Sequence, residues 1–548
     1  MLGNPFKSAC LTCLLSLWVL QVFSATGRFR IAWEEDPATT AVIAWDQLSG
    51  SDPVLYLDVN NYGQNFGEYA VAKRPQNIIV AKGMNNHFIH LQDLVPNTTY
   101  YFIIKDSEGV SRQLFFSTAP NRPDRRLSII AGGDSRNFRE ARRDANLLVG
   151  KLRPHCVMFG GDFTEKDSPD EWKDWFDDWQ LTISKDGRMT PIVVTRGNHE
   201  ESNRTLNDLF GIRSADLTYA FNLGGNLLRI YTLNTLIPIS GSQQAWLESD
   251  LRSNTAVQWK FAQYHQPMRP HTKRKMEKND QVVLWAPLFY KYGINLVVEC
   301  DAHVVKSTWP IRPDNGPGSY EGFIRDDDSG TVFVGEGCWG APLRNNDDDK
   351  PWTRASDSFN QFNWIFVDQE KIEVRTIKTD GADRVADINP NNIFSAPRGL
   401  VIWNPENGDV ITIQQRQKGK PAQEEEIFAA RSGVQNASMF PPPPPHGPVS
   451  SQAAEEEEES VNWEEFPTIM PDDASGDLLL KYNVEEPGNV VIRLINLRLQ
   501  EVTRLEIPNQ APGEYLKTIK TSHLKPGRYL AIVKGNRKIL RRFRVTKR

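Results

Sequence analysis

The chain has 548 residues, 39% of them hydrophobic and 24% charged, with a formal net charge of -5. At about 150 residues per domain this length fits three or four domains, with enough core to fold without a metal or disulfide staple. The composition excludes global disorder and a polytopic membrane protein, and the charge gives no reason to expect a nucleic-acid scaffold role.

The start of the chain reads as a targeting segment. Lys7 precedes an apolar run from Ala9 to Phe23 that includes Leu14, Leu15, Trp18 and Leu20. The run is too short for a comfortable bilayer span, and Val22 and Ser24 fit small-residue cleavage preferences, which places cleavage near Ser24 or Ala25. Residues 1–25 are therefore expected to be a signal peptide. No later apolar run is long enough to span a bilayer, so the mature chain is expected to lack a transmembrane segment and to be secreted or at the cell surface. Cys10 and Cys13 leave with the signal. Cys156, Cys300 and Cys338 are too few and too scattered for a disulfide framework or a zinc knuckle.

Residues 27–120 read as all-β. Short apolar runs at Ile31–Trp33, Val42–Trp45, Phe88–Leu91, Tyr100–Ile104 and Phe115–Thr118 are separated by turn residues. The stretch from His90 to Tyr100 resembles the end of a fibronectin type III module, which implies a β-sandwich with a binding or spacer role. Residues 125–414 change character, and strand-like runs alternate with helical patterns. Strands are expected at Leu127–Ala131, Cys156–Phe159, Ile192–Thr195, Leu228–Leu233, Lys260–Tyr264 and Asn295–Glu299. Helices are expected at Glu140–Leu152, Asp170–Gln180, Gln243–Leu251 and Gln281–Tyr292, and further strands follow Thr331. This alternation predicts an α/β core with strands buried on both faces.

Residues 415–476 are low in complexity. Pro441–Pro445 favours extended polyproline II, and Glu455–Glu459 repel one another, so a disordered linker is expected. Residues 477–548 are again all-β, with runs at Val490–Leu494, Tyr529–Val533 and Phe543–Val545. Charge divides sharply between the two: residues 419–476 carry 12 acidic and 2 basic side chains, residues 477–548 carry 6 and 16. The stretch Leu524–Val533, followed by Phe543–Arg548, resembles the C-terminal sorting domain of type IX secretion. That resemblance implies a terminal β-sandwich and export and sorting machinery as partners.

Five polar clusters each follow an apolar strand of the α/β region. They are Gly133-Asp134-Ser135-Arg136, Gly161-Asp162-Phe163-Thr164-Glu165, Arg196-Gly197-Asn198-His199-Glu200, Tyr264-His265 and Cys300-Asp301-Ala302-His303. Groups just beyond the carboxyl ends of strands converge on one crevice in such sheets. Gly133, Gly161 and Gly197 permit tight turns that re-aim the next side chain. Carboxylates, imidazoles and an amide together are what a pair of borderline divalent ions requires.

The five clusters in this order resemble the calcineurin-like metallophosphoesterases, and the front domain points to the purple acid phosphatase-like branch. The resemblance covers roughly residues 27–400. It implies a multidomain chain whose α/β/β/α metallophosphoesterase sandwich is flanked by N-terminal and C-terminal β-sandwiches. By the same resemblance Asp134 binds the first metal, Asp162 bridges both, and Asn198 and His265 bind the second. His199 faces the substrate phosphate.

Three departures from the family pattern stand out. The last family motif is Gly-His-x-His. An ungapped alignment through Leu296–Val298 puts Cys300 at the glycine, Asp301 at the first histidine on the second metal, and His303 at the second on the first metal. A two-residue shift would instead put His303 first and Val305 second. Purple acid phosphatases carry a tyrosine three residues after the bridging aspartate, where this chain has Glu165, either a further ligand or a loop charge. Many members have Asp-x-His in the first motif, where this chain has Arg136, suited to clamp a phosphate or to pair with a site carboxylate. Arg269 and His271 are candidates for the substrate mouth, with ordinary loop roles as the alternative.

The resemblance implies a secreted enzyme hydrolysing phosphate ester substrates by hydroxide activated between two divalent metal ions. The extra carboxylate and the missing tyrosine favour Mn²⁺, Fe²⁺ or Zn²⁺ over a mixed iron(III) centre. The alternative is a non-catalytic surface binding protein that retains a degenerate metal site.

Overall fold

The computed structural model describes residues 25–415, 468–469 and most of 477–547. All but the last residue of the expected signal peptide and nearly all of the expected linker lie outside the described residues. The chain divides into two compact units, one ending at Phe440 and one beginning at Pro441.

The first unit is built on two large mixed sheets. The first has the strands Leu127–Gly132, Cys156–Phe159 and Ile192–Val194 side by side and parallel at its centre. Gln361–Val367 and Lys371–Lys378 extend it on one side as antiparallel strands. The second sheet runs Tyr219–Leu223, Leu228–Thr232, Trp259–Gln263, Leu296–Glu299, Val332–Gly335, Val305–Thr308 and Thr353–Asp357. Its four central strands from Leu228 to Gly335 are parallel. Parallel strands covered on both faces read as continuous apolar runs, and Leu127–Gly132 and Cys156–Phe159 are buried at every position.

The two sheets share one core. Ile129, Val157 and Val193 of the first lie in the same apolar cluster as Ile230, Phe261, Val298 and Val334 of the second. The outer face of the first sheet is covered by helices Arg139–Leu152 and Pro169–Trp179. Ser168 caps the latter by accepting the Glu171 N–H, and Pro169 opens it without losing a hydrogen bond. Trp172, Trp175, Phe176 and Trp179 recur at helical spacing and are all buried. On the second sheet, Tyr231, Ala262, Val297 and Phe333 pack with Leu247, Leu251, Trp285 and Phe289 of its helices. The layering is helix, sheet, sheet, helix.

Two sequence expectations need correction here. The single helix expected at Gln281–Tyr292 is two, Asn279–Leu284 and Ala286–Tyr292, because Pro287 has no N–H to continue the ladder. The N-terminal region is also not a separate sandwich. Its strand Thr26–Ala32 pairs in parallel with Ile192–Val194, with Ala32 opposite Ile192 and the Trp33 N–H bonded to the Ile192 carbonyl at 3.0 Å. Ala41–Gln47, Met84–Leu91 and Asn77–Ala81 continue the same sheet. A four-stranded sheet of Val71–Lys73, Val54–Asp58, Thr99–Lys105 and Leu114–Ser117 packs into this core through Leu55, Phe102 and Phe116. Periodicity within each strand cannot reveal this seam, because it depends on which edges meet.

The second unit has a five-stranded sheet, Thr468–Ile469, Lys538–Lys547, Gly527–Gly535, Gly488–Asn496 and Glu501–Gln510, and the antiparallel pair Asp477–Val484 and Gly513–Lys520. Leu478, Leu480, Tyr482 and Val484 alternate inward and share a core with Val490, Ile492, Leu494, Ala531 and Val533. Among the described residues no helix is long and apolar enough to cross a membrane.

Candidate metal centre

Six loops converge where the parallel strands of both sheets end. Asp134 follows Leu127–Gly132, Asp162 follows Cys156–Phe159, and Asn198 and His199 follow Ile192–Val194. His265 follows Trp259–Gln263, Asp301 and His303 follow Leu296–Glu299, and Glu336 follows Val332–Gly335. The backbone there is forced. Asp134, Asp162, Asp301 and His303 all have positive φ, between 52° and 70°. Left-handed backbone at a non-glycine residue costs on the order of 1–3 kcal/mol and survives only where the surroundings impose it.

The side chains form two groups that share one residue. Ligating atoms of Asp134, Asp162 and His303 lie within 4.8 Å of one another, and so do those of Asp162, His265 and Asp301. His303 Nε2 is 3.1 Å from Asp134 Oδ1, and His265 Nε2 is 3.2 Å from Asp162 Oδ1. Asn198, exposed, brings its Oδ1 to 3.1 Å from His265 Nε2. Asp301 therefore sits beside His265, and His303 beside Asp134, which is the arrangement of the ungapped alignment. Val305 begins a buried strand.

Both imidazoles are oriented from behind. His265 Nδ1 lies 2.8 Å from the Gly160 carbonyl and His303 Nδ1 2.8 Å from the Pro342 carbonyl. A carbonyl only accepts, so each Nδ1 carries the proton and each Nε2 is turned to the carboxylates, as a metal-binding histidine requires. His199 is held likewise, with Nδ1 2.6 Å from the Glu165 carbonyl and its backbone N–H on Asp162 Oδ1 at 2.9 Å.

The cluster fits a pair of cations. Asp134, Asp162 and Asp301 are all buried, and buried carboxylates require a countercharge. Asp162 Oδ2 is buried with no hydrogen-bond partner although it belongs to both groups. Burial alone would lower the proton affinity of His265, yet the charges of Asp162 and Asp134 raise it well above the ordinary range. The site attracts positive charge from whatever can supply it.

Glycines are required here by close approach more than by φ. A Cβ at Gly197 would lie 2.1 Å from Asp162 Oδ1, and one at Gly337 would lie 1.8 Å from Asp134 Oδ2. Only Gly161 of the three glycines singled out in the sequence has a positive φ, 97°. The Cys300 sulfur fills the slot between Gly133 and Gly160, where added Cβ atoms would approach it to 2.8 and 2.2 Å. Cys156, Cys300 and Cys338 are all buried and free.

Arg136, Glu165, Arg269 and His271 each carry two readings in the sequence. The guanidinium of Arg136 is committed to Glu165, Nε to Oε2 at 2.7 Å and Nη2 to Oε1 at 2.5 Å. This bidentate pair occupies the fork that a phosphate clamp would use and both oxygens that a Glu165 ligand would offer. Arg269 and His271 are buried instead of lining a mouth. Arg269 bonds Asn279 and the Glu321 carbonyl, and His271 Nε2 meets Thr353 Oγ1 at 2.7 Å.

Three supporting groups carry no role legible in the local sequence. Glu200 accepts the N–H groups of Phe163 at 2.8 Å, Gly197 at 2.7 Å and Asp162 at 3.2 Å, tying two site loops together. Its place in the Gly-Asn-His-Glu run was the available signal. Lys306 is buried between Glu299 and Glu336, 2.5 Å from each, and Glu299 also accepts the Tyr264 hydroxyl and the Met268 N–H. Lys275 lies 2.7 Å from Asp301 Oδ1. Nothing in local sequence marks Lys275 or Lys306.

Residues 89–305 match the family described as Calcineurin-like phosphoesterase, and residues 27–118 match Purple acid Phosphatase, N-terminal domain. Human (Homo sapiens) acid phosphatase type 7 is 24% identical over 263 residues, which is 42% of this chain and 59% of that protein. The chain thus spans less than two thirds of this curated relative. Among solved structures, a purple acid phosphatase from yellow lupin (Lupinus luteus) seeds aligns with a TM-score of 0.55 at 14% identity, covering 74% of this chain and 76% of that one. PhoD aligns with a TM-score of 0.51 at 11% identity, covering 75% and 98%. The two family matches together take in residues 27–305, the stretch that holds Asp134, Asp162, Asn198, His199, His265, Asp301 and His303.

Proposed function

We propose that this chain is an exported, metal-dependent phosphoesterase, with Asp134, Asp162 and His303 holding one divalent ion and Asp162, Asn198, His265 and Asp301 the other. The observation that carries this reading is Asp162, a buried carboxylate common to two ligand groups with one oxygen left unpartnered. Such a pair of ions, when bound, supplies Lewis acidity that activates water and polarises a phosphoryl group.

The chain's own residues supply the rest. His199 is partly exposed, and its Nε2 lies 3.7 Å from Asp162 Oδ2, on the open side of the cluster. With Nδ1 fixed on a backbone carbonyl, Nε2 is the free edge that meets a phosphoryl oxygen or a leaving group. Arg136 acts through Glu165: the ion pair braces the loop whose carbonyl orients His199. The signal-like start and the sorting-domain resemblance support an exported enzyme, and the absence of a tyrosine at position 165 supports loading with Mn²⁺, Fe²⁺ or Zn²⁺.

Initial rates on a matched aryl phosphate monoester and diester, with chelated protein reloaded separately with Mn²⁺, Zn²⁺ and Fe²⁺, test this reading. Metal-dependent turnover that is lost in His199→Ala is the expected result, and the monoester-to-diester ratio narrows the substrate class. The second reading, a binding protein with a degenerate site, rests on the closed Arg136–Glu165 pair. It gains if no metal restores turnover and Asp162→Asn leaves the cellular role intact.

A further inference from the structure

Asp301 stands where the family motif carries an imidazole, and it adds a negative charge to a cluster that already holds Asp134 and Asp162. The structure pairs that added charge. Lys275 Nζ lies 2.7 Å from Asp301 Oδ1, and the Asp301 side chain is 4% exposed while that of Lys275 is 26% exposed. The ammonium thus sits at the boundary between the cluster and solvent.

Lys275 is placed there by an anchored loop. Its N–H bonds the carbonyl of buried Thr272 at 3.2 Å, the Lys278 N–H bonds the Met268 carbonyl at 3.0 Å, and the Lys273 N–H bonds Asp347 Oδ1 at 2.9 Å. Asp301 is fixed as well. Its N–H donates to Asp134 Oδ2 at 2.9 Å and its carbonyl accepts from Arg344 at 2.8 Å. Both partners are held, so the pair is a built contact and not a chance meeting of two long side chains.

We propose that Lys275 is a positioning residue that neutralises Asp301, so that a carboxylate and an ammonium together present the charge that a neutral imidazole would present, and that it attracts the phosphate dianion to this half of the site. The proposal rests on the dinuclear reading above. Three carboxylates and one ammonium leave the same formal charge as two carboxylates and an imidazole. The two roles of the ammonium pull in opposite directions: it repels a divalent ion at the His265–Asp301 position and draws a phosphate toward it.

That opposition gives the test a signature that a purely structural lysine lacks. Metal affinity is measured by chelator competition, and inorganic phosphate affinity by calorimetry on the metal-loaded full chain. Wild type, Lys275→Met, Lys275→Arg, Asp301→His and the double variant Asp301→His/Lys275→Met are compared. Lys275→Met is expected to hold its weaker ion about tenfold tighter and phosphate about tenfold more weakly. Lys275→Arg should stay near wild type. Asp301→His should hold the weaker ion less tightly, and the double variant should return toward wild type in both measurements. Unchanged affinities in Lys275→Met, or both weakened together, overturn the assignment to Lys275 while the wild type still binds two ions. A wild type that binds no divalent ion overturns this proposal and the dinuclear reading together.

Discussion

The two sheets each contribute half of the site, and they hold their halves by different means. On the first sheet the loops bearing Asp162 and Asn198 are tied by one carboxylate, Glu200, that accepts three backbone N–H groups. On the second sheet the loops bearing His265, Asp301 and His303 rest on a buried ionic chain. There Tyr264 bonds Glu299, Lys306 bridges Glu299 and Glu336, and the Glu336 carboxylate and carbonyl accept the N–H groups of His271 and His303. In the first half the tie between the Asp162 and Asn198 loops is one carboxylate among neutral donors, with the partly exposed Arg136–Glu165 pair bracing the Glu165 loop beside it. The second depends on several buried charges balancing, and it is also the half where the family motif has changed.

The largest effect should come from the residue common to both halves. Asp162→Asn is expected to lose both ions and reduce any turnover to background, measured by elemental analysis and initial rates; retention of two ions would break the shared-ligand reading. Next is Lys306→Met, which leaves Glu299 and Glu336 buried without a countercharge. It should cost about 3–5 kcal/mol in chemical denaturation, because removing one partner of a buried ion network strands the other.

Acid should separate the halves further. His155, just before the first-sheet strand Cys156–Phe159, is partly buried and accepts the Ser128 N–H through Nδ1, and desolvation together with the nearby Arg188 charge lowers its pKa from 6.5 to about 4. The unfolded chain therefore takes up a proton below pH 6.5 that the folded chain refuses until about pH 4. Stability from this group is full above 6.5 and falls as pH drops through that window, by up to about 3 kcal/mol. In His155→Gln that part of the acid slope should disappear. The smallest effect is expected from Glu200→Gln, whose amide nitrogen cannot accept from Gly197 or Asp162. A loss of roughly 10–100-fold in metal affinity is expected, as for other groups that orient ligands from behind. Equal losses of stability in chemical denaturation from Lys306→Met and Glu200→Gln would erase the distinction between the halves.

Much of the site was legible in the sequence because its residues sit directly after apolar strands. Gly133-Asp134, Gly161-Asp162, Gly197-Asn198-His199, Tyr264-His265 and Asp301-x-His303 each announce a strand end, and parallel strands bring their ends together. The supporting residues were not legible. Lys275 lies 26 positions before Asp301, and Lys306 meets Glu336 across two strands of one sheet. The chemistry of Arg136 was readable, but its partner was not, since the choice between phosphate and Glu165 depends on how two loops approach.

By itself the sequence determined the strand and helix periods, the break in charge near residue 477, and which side chains end the parallel strands. These follow from local alternation and from backbone turns within a few residues. The tertiary structure decided that the N-terminal strand Thr26–Ala32 joins the central sheet at Ile192, that Asp301 pairs with Lys275, and that Arg269 and His271 are interior. Those outcomes depend on which strand edges and buried charges find one another across distant parts of the chain, and hydrogen bonding and desolvation settle them only once the chain has packed.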